Sequence, residues 1–124
     1  MQDTPNPTEI LAAVAVLLRE TIMPLLSGHP QYQIRVAANA LDLASRQITL
    51  QPEYDIAEHE SLKALLGRDG SLVELNQALC AAIERHEITL ESPGLAEHLW
   101  ATTMAKLAVD QPGYARYQRE LTGR

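Results

Sequence analysis

Four polar side chains stand out in the segment QIRVAANALDLASRQ, residues 33–47. Arg35, Asn39, Asp42 and Arg46 follow one another at spacings of four, three and four. On a helix turning 100° per residue they share an arc of about 60°. Guanidinium groups can grip a carboxylate or phosphate through paired N–H donors, an amide can donate and accept beside them, and a carboxylate can act as a base. Ile34, Val36, Ala37, Ala38, Ala40, Leu41, Leu43, Ala44 and Ile48 occupy much of the remaining circumference. A helix so apolar is expected to be central, with its polar line facing a strip of solvent or polar groups on a neighbour.

The helical pattern near the carboxyl end offers such groups. On its wheel Lys106 and Asp110 lie among Leu95, Ala96, Leu99 and Thr103, while Glu97, Ala101 and Ala108 take the opposite side. Asp110 also closes that helix, where the dipole disfavours an anion and a cation such as Arg35 would compensate. Asn76 is a further candidate member. Three readings stay open: a solvated seam containing an Asp42–Arg46 pair, a satisfied polar network between two helices, or a pocket for an anionic ligand lined by Arg35, Asn39, Asp42, Arg46, Lys106 and Asp110.

Other chemistry is missing from the pattern. No Glu has His three residues later, which a di-metal carboxylate bundle needs, and there is no HExxH, GxSxG, Walker or GxGxxG motif. Asp55 and His59 alone pair an acid with a histidine at helical spacing four, which reads as an exposed ion pair. The single cysteine, Cys80, cannot form an internal disulfide and reads as a small buried hydrophobe. No metal, cofactor or catalytic residue is expected. The net charge of −6 argues against nucleic acid, whose phosphates are neutralised by Lys and Arg. The longest apolar run, Ile10 to Leu18, is too short for a helix to cross a bilayer, which takes about 20 residues. With no secretory signal in view, a cytoplasmic location is expected.

The elements that must position these groups are helices. The chain of 124 residues is 46% hydrophobic yet has no Phe and a single Trp, so its interior must come from Leu, Ala, Ile and Val. Asn6-Pro7-Thr8-Glu9 predicts a capped first helix to about Ile22, with Ile10, Val14, Leu17, Leu18 and Thr21 on its buried face and Pro24 ending it. A second helix is predicted over about 31–50, broken at Gln51-Pro52-Glu53. A third, about 53–66, is stopped by Gly67. Ser71-Leu72-Val73-Glu74 caps a fourth, striped with Leu72, Leu75, Leu79, Ala82 and Ile83. Ile88-Thr89-Leu90 reads as a short extended link, and Ser92-Pro93 opens a fifth helix to about Asp110. A helical tail spans Tyr114 to Leu121, its Tyr114 and Tyr117 able to dock. The whole is read as all-α: one compact bundle of about five helices plus the tail, a single domain over 1–124 with 1–6 and 122–124 frayed.

The segments PTEILAAVAVLLRE, RVAANALDLASRQ and KLAVDQPGY resemble hallmark stretches of a family of small bacterial proteins of unknown function. Members often occur beside acyl-CoA dehydrogenases and phosphotransferases resembling aminoglycoside kinases. Gln111 stands where that pattern has Asn before the proline. The resemblance implies an accessory role near acyl-CoA or phosphotransfer metabolism. Val16 and Met23 on the polar side of the first helix, with Trp100, Met104, Tyr114 and Tyr117, suggest an interaction module that binds a protein partner or its own copy. The rival expectation is a small anionic-ligand binder or weak enzyme built on the polar cluster.

Overall fold

A computed structural model of the chain describes residues 3–123. It is all-helical, with no strand among the described residues. The α-helices are α1 (Pro7–Val16), α2 (Gly28–Leu66), α3 (Leu72–Glu84), α4 (Leu95–Asp110) and α5 (Ala115–Thr122). They form two compact units, Met1–Gln51 and Pro52–Arg124. The fraying expected at 1–6 and 122–124 falls partly on residues 1, 2 and 124, outside the described ones. Asn6, however, caps a helix and α5 runs through Thr122.

The first unit is a helical hairpin. Asn6 Oδ1 accepts from the Glu9 backbone N–H at 3.0 Å while the Glu9 carboxylate accepts from the Asn6 N–H at 2.7 Å, the reciprocal cap that its sequence predicts. Beyond Val16 the chain widens into a π-helical stretch, Leu17–Ile22, in which the Met23 N–H reaches back five residues to the Leu18 carbonyl. Pro24 lacks an N–H to continue this ladder, and Met23–Leu25 tightens into a 3₁₀ turn. Gln31 Nε2 then donates to the carbonyls of Met23 and Leu26, at 3.2 and 3.0 Å, fastening the turn to α2.

Two expectations fail here. The inward face of α1 and the π-helical stretch carries Leu11, Ala15, Leu18 and Ile22, whereas Ile10, Val14 and Leu17 are exposed. Ile10 to Leu18 is apolar all round, so its wheel does not decide which side is buried. Residues 31–50 are not a central helix either: Tyr32, Val36, Ala37, Ala40 and Ile48 are exposed. Among the described residues of this unit only Ala15 and Ala38 are buried, so its interior is a thin seam with Leu11, Leu18 and Ile22 half-buried beside it.

The predicted second and third helices are one, because Pro52 does not break α2. Its ring deprives the Ile48 carbonyl of a partner, but both residues are exposed, so water can satisfy that carbonyl and only the proline's intrinsic cost of about 3 kcal/mol remains. The helix stops as predicted at Gly67, whose φ of +65° suits glycine and whose N–H donates to the Lys63 carbonyl at 2.9 Å.

The second unit has a filled core. Leu62 from α2, Leu75 and Leu79 from α3 and Leu95 from α4 are buried together, with Leu65, Leu66, Leu72 and Ile88 packed around them. Ser71 and Glu74 form the predicted capping box of α3. Cys80, one residue beyond Leu79 and 100° off the buried stripe, is exposed, contrary to expectation. Residues 88–90 form a bend and turn, not an extended link, and α4 starts only at Leu95. Ser92 Oγ is engaged by the Thr89 N–H at 2.9 Å, and Gly94 enters at φ +91°, which a helix cannot accommodate. Of the two tail tyrosines, Tyr117 is buried and Tyr114 is exposed.

Two stability effects follow from this core and its edges. Leu62→Ala, at a site with no solvent exposure, should lower unfolding free energy by about 2–5 kcal/mol in urea titrations. His86 ends α3 in the left-handed region at φ +57°, so His86→Gly should raise stability by about 0.5–1 kcal/mol in the same assay.

Candidate functional site

The polar line of α2 meets a residue that the sequence reading did not include. Arg19, in the π-helical stretch, donates from Nη2 to Asp42 Oδ2 at 2.6 Å and to Asn39 Oδ1 at 2.8 Å. Asn39 and Asp42 are thus joined within the first unit by a cation 20 and 23 residues earlier. Arg35 is exposed on the same side of α2, and Arg46 is half-buried. Because Arg19 and Asp42 are both more than a third exposed, the pair contributes at most about 1 kcal/mol. Its signal in the sequence was weak: an arginine inside an apolar run whose helical register changes.

Lys106 and Asp110 belong to the second unit, and both are exposed. The wheel of α4 had put them on its buried side. The inward face is instead Leu95, His98, Thr102, Ala105, Ala108 and Val109, two of them polar. Two charges that called for a buried partner stand in water.

Burial of His98 draws a polar cluster together in the second unit. His98 is 4% exposed, and its Nδ1 lies 2.8 Å from Ser61 Oγ on α2. Asn76 on α3 donates from Nδ2 to Glu58 Oε1 at 2.7 Å and to the Leu72 carbonyl at 3.0 Å, so it joins this cluster and not the line of the first unit. Nearby, His59 Nε2 is 2.8 Å from the Gly70 carbonyl and 3.6 Å from Asp69 Oδ1, which anchors the α2–α3 turn.

A serine beside an imidazole is the starting arrangement for nucleophilic catalysis. Here the imidazole is buried and the hydroxyl half-buried, and the pair ties α2 to α4. Among the described residues no group of three or more His, Cys, Asp or Glu side chains is placed to hold a metal ion. No helix among them is long and apolar enough to cross a membrane.

Residues 24–114 match a family described as "Domain of unknown function (DUF6285)". The match takes in 91 of the 124 residues, and the chain belongs to that family. It includes Asn39, Asp42, Glu58, Ser61, Asn76 and His98, and begins after Arg19. No curated protein and no solved structure matches the chain.

Burial holds the His98 pKa below its ordinary value of 6.5, with the Glu58 carboxylate opposing part of the shift. Between the depressed folded value and the unfolded value the unfolded chain binds a proton that the folded chain does not. Stability is therefore full above about pH 6.5 and falls as the pH drops through it, until the folded value is passed. His98→Gln, which can keep a hydrogen bond to Ser61, should flatten that slope in urea midpoints taken from about pH 7.5 to about pH 5. An unchanged slope would assign the pH dependence to other groups.

Proposed function

We propose that the chain is a non-catalytic helical interaction module, an accessory subunit that works by assembling with another polypeptide through the open face of its first unit. One observation carries this reading. The hairpin is apolar on its outside as well as along its seam: Ile10 is 50% exposed, Val14 39%, Leu17 50% and Ile48 50%. Single exposed hydrophobes are ordinary, but a run at helical spacing on two adjoining helices is a contiguous patch, the signature of an interaction surface. A unit of 51 residues with two buried alanines also lacks the interior that a free-standing domain of that size needs.

The resemblance noted from the sequence supplies a setting for this role, a bacterial cytoplasm with acyl-CoA dehydrogenases or aminoglycoside-phosphotransferase-like enzymes nearby. It names no contact residue. Anion binding by Arg35, Asn39, Asp42, Arg46, Lys106 and Asp110 is the weaker reading, since Arg19 already occupies the oxygens of Asn39 and Asp42.

The test compares the tagged full chain with its Val14→Glu/Ile48→Glu variant as baits in extract of the source cells, both checked for unchanged helicity. The wild-type bait should retain a stoichiometric polypeptide, foreign or a second copy of the chain, that the variant loses. Equal retention by both baits, or none by either, would overturn the module reading.

A further inference from the structure

We infer that the occupant of the open hairpin face is a second copy of this chain, the two hairpins forming a four-helix bundle about a two-fold axis. The inference rests on the interaction-module reading and specifies its partner. Four observations point to self-association.

The first is shape. Arg19 opposite Asp42, and Gln31 folded back onto Met23 and Leu26, make α1 and the first half of α2 antiparallel. In that arrangement the wheel positions put Ile10 and Val14 of α1, and Leu17 just beyond its end, on the same side as Ala37, Ala44 and Ile48 of α2. The face is therefore a ridge of branched side chains beside a shallower row in which Ala37 and Ala44 are followed by Ile48. A two-fold rotation lays each copy's ridge against the other's shallower row, which is what an isologous interface requires.

The second is charge. The patch itself carries none, and Arg19, Arg35, Asn39, Asp42 and Arg46 lie on the opposite edge of the hairpin. Residues 1–51 hold four acids and three arginines, while residues 52–124 hold twelve acids and seven basic residues. Two copies meeting through this uncharged patch bring no like charges into contact.

The third is area. The exposed parts of these side chains amount to about 400 Å² per copy, or about 800 Å² in all, the size of a small, concentration-dependent pairing. The fourth is the hairpin's own deficit: among its described residues only Ala15 and Ala38 are buried, and pairing would cover Ile10, Val14, Leu17 and Ile48 of both copies.

Light scattering on the purified full chain, after size exclusion, tests the inference. The expected result is twice the 13.7 kDa chain mass for the wild type. Val14→Glu/Ile48→Glu should reduce this to the single-chain mass with unchanged far-UV circular dichroism, while Arg35→Glu on the opposite edge stays dimeric. Should the double variant lose helicity, Ile10→Lys at the start of α1 decides instead. A single-chain mass for the wild type at high micromolar concentration would overturn the inference, as would a dimer that survives the face substitutions. If the wild type runs as one chain and the extract band is still lost with Val14→Glu/Ile48→Glu, the module stands and its occupant is a different protein. If that band is absent too, both readings fall.

Discussion

The helix α2 runs through Pro52, and each unit draws on the part of it that it contains. Its residues up to Gln51 form one arm of the hairpin, and those from Pro52 to Leu66 supply Leu62, Leu65 and Leu66 to the leucine core. A proline inside a helix forfeits a hydrogen bond and crowds the carbonyl four residues back, a cost that would normally divide the segment. What makes it tolerable is placement: Ile48 and Pro52 are both exposed, so the lost partner is replaced by water and no buried carbonyl is orphaned. Moving the same proline three positions on, to a half-buried site such as Asp55, would remove that compensation.

The two units solve the burial problem differently. In the second, large aliphatic side chains from three helices close on one another, and the one buried imidazole is accommodated by a hydroxyl at hydrogen-bond distance and a carboxylate whose field favours its protonation. Leaving such a group unpartnered would cost a few kcal/mol, which explains why a serine stands on α2 opposite it. In the first unit only Ala15 and Ala38 are buried among the described residues, Leu11, Leu18 and Ile22 turned inward are half-buried, and Ile10, Val14, Leu17 and Ile48 stand outside. The same sequence bias toward Ala and Leu that makes both units helical thus leaves one of them satisfied and the other open.

What could be read in advance divides along the range of the interaction concerned. The capping boxes at Asn6 and Ser71 and the stop at Gly67 are decided within three or four residues, and all were legible. The all-helical class was equally clear from composition and period. The end of α2 near residue 50 was misread because the rule for proline is local, whereas its cost depends on which side of the helix faces water. The inward faces of α1 and α4 were misassigned for opposite reasons: α1 is apolar all round, so periodicity carries no direction, and α4 buries His98 and Thr102, which look like surface. Arg19 and His98, the residues on which the two polar clusters turn, act across 20 and 37 residues of chain. No spacing rule reaches that far.

The polar line of α2 acquires a meaning from the residue it lacked. Without Arg19, residues 35 to 46 are a set of charges on a helix that could face any neighbour. With it, Asn39 and Asp42 are pulled toward α1, and that edge of the hairpin is committed to polar contacts. The modest energy of so exposed a pair is beside the point. The contacts of Arg19 with Asn39 and Asp42 mark which edge of the hairpin is polar, and Ile10, Val14 and Leu17 stand outward on the side away from them. The polar line and the apolar face are thus the two sides of one hairpin.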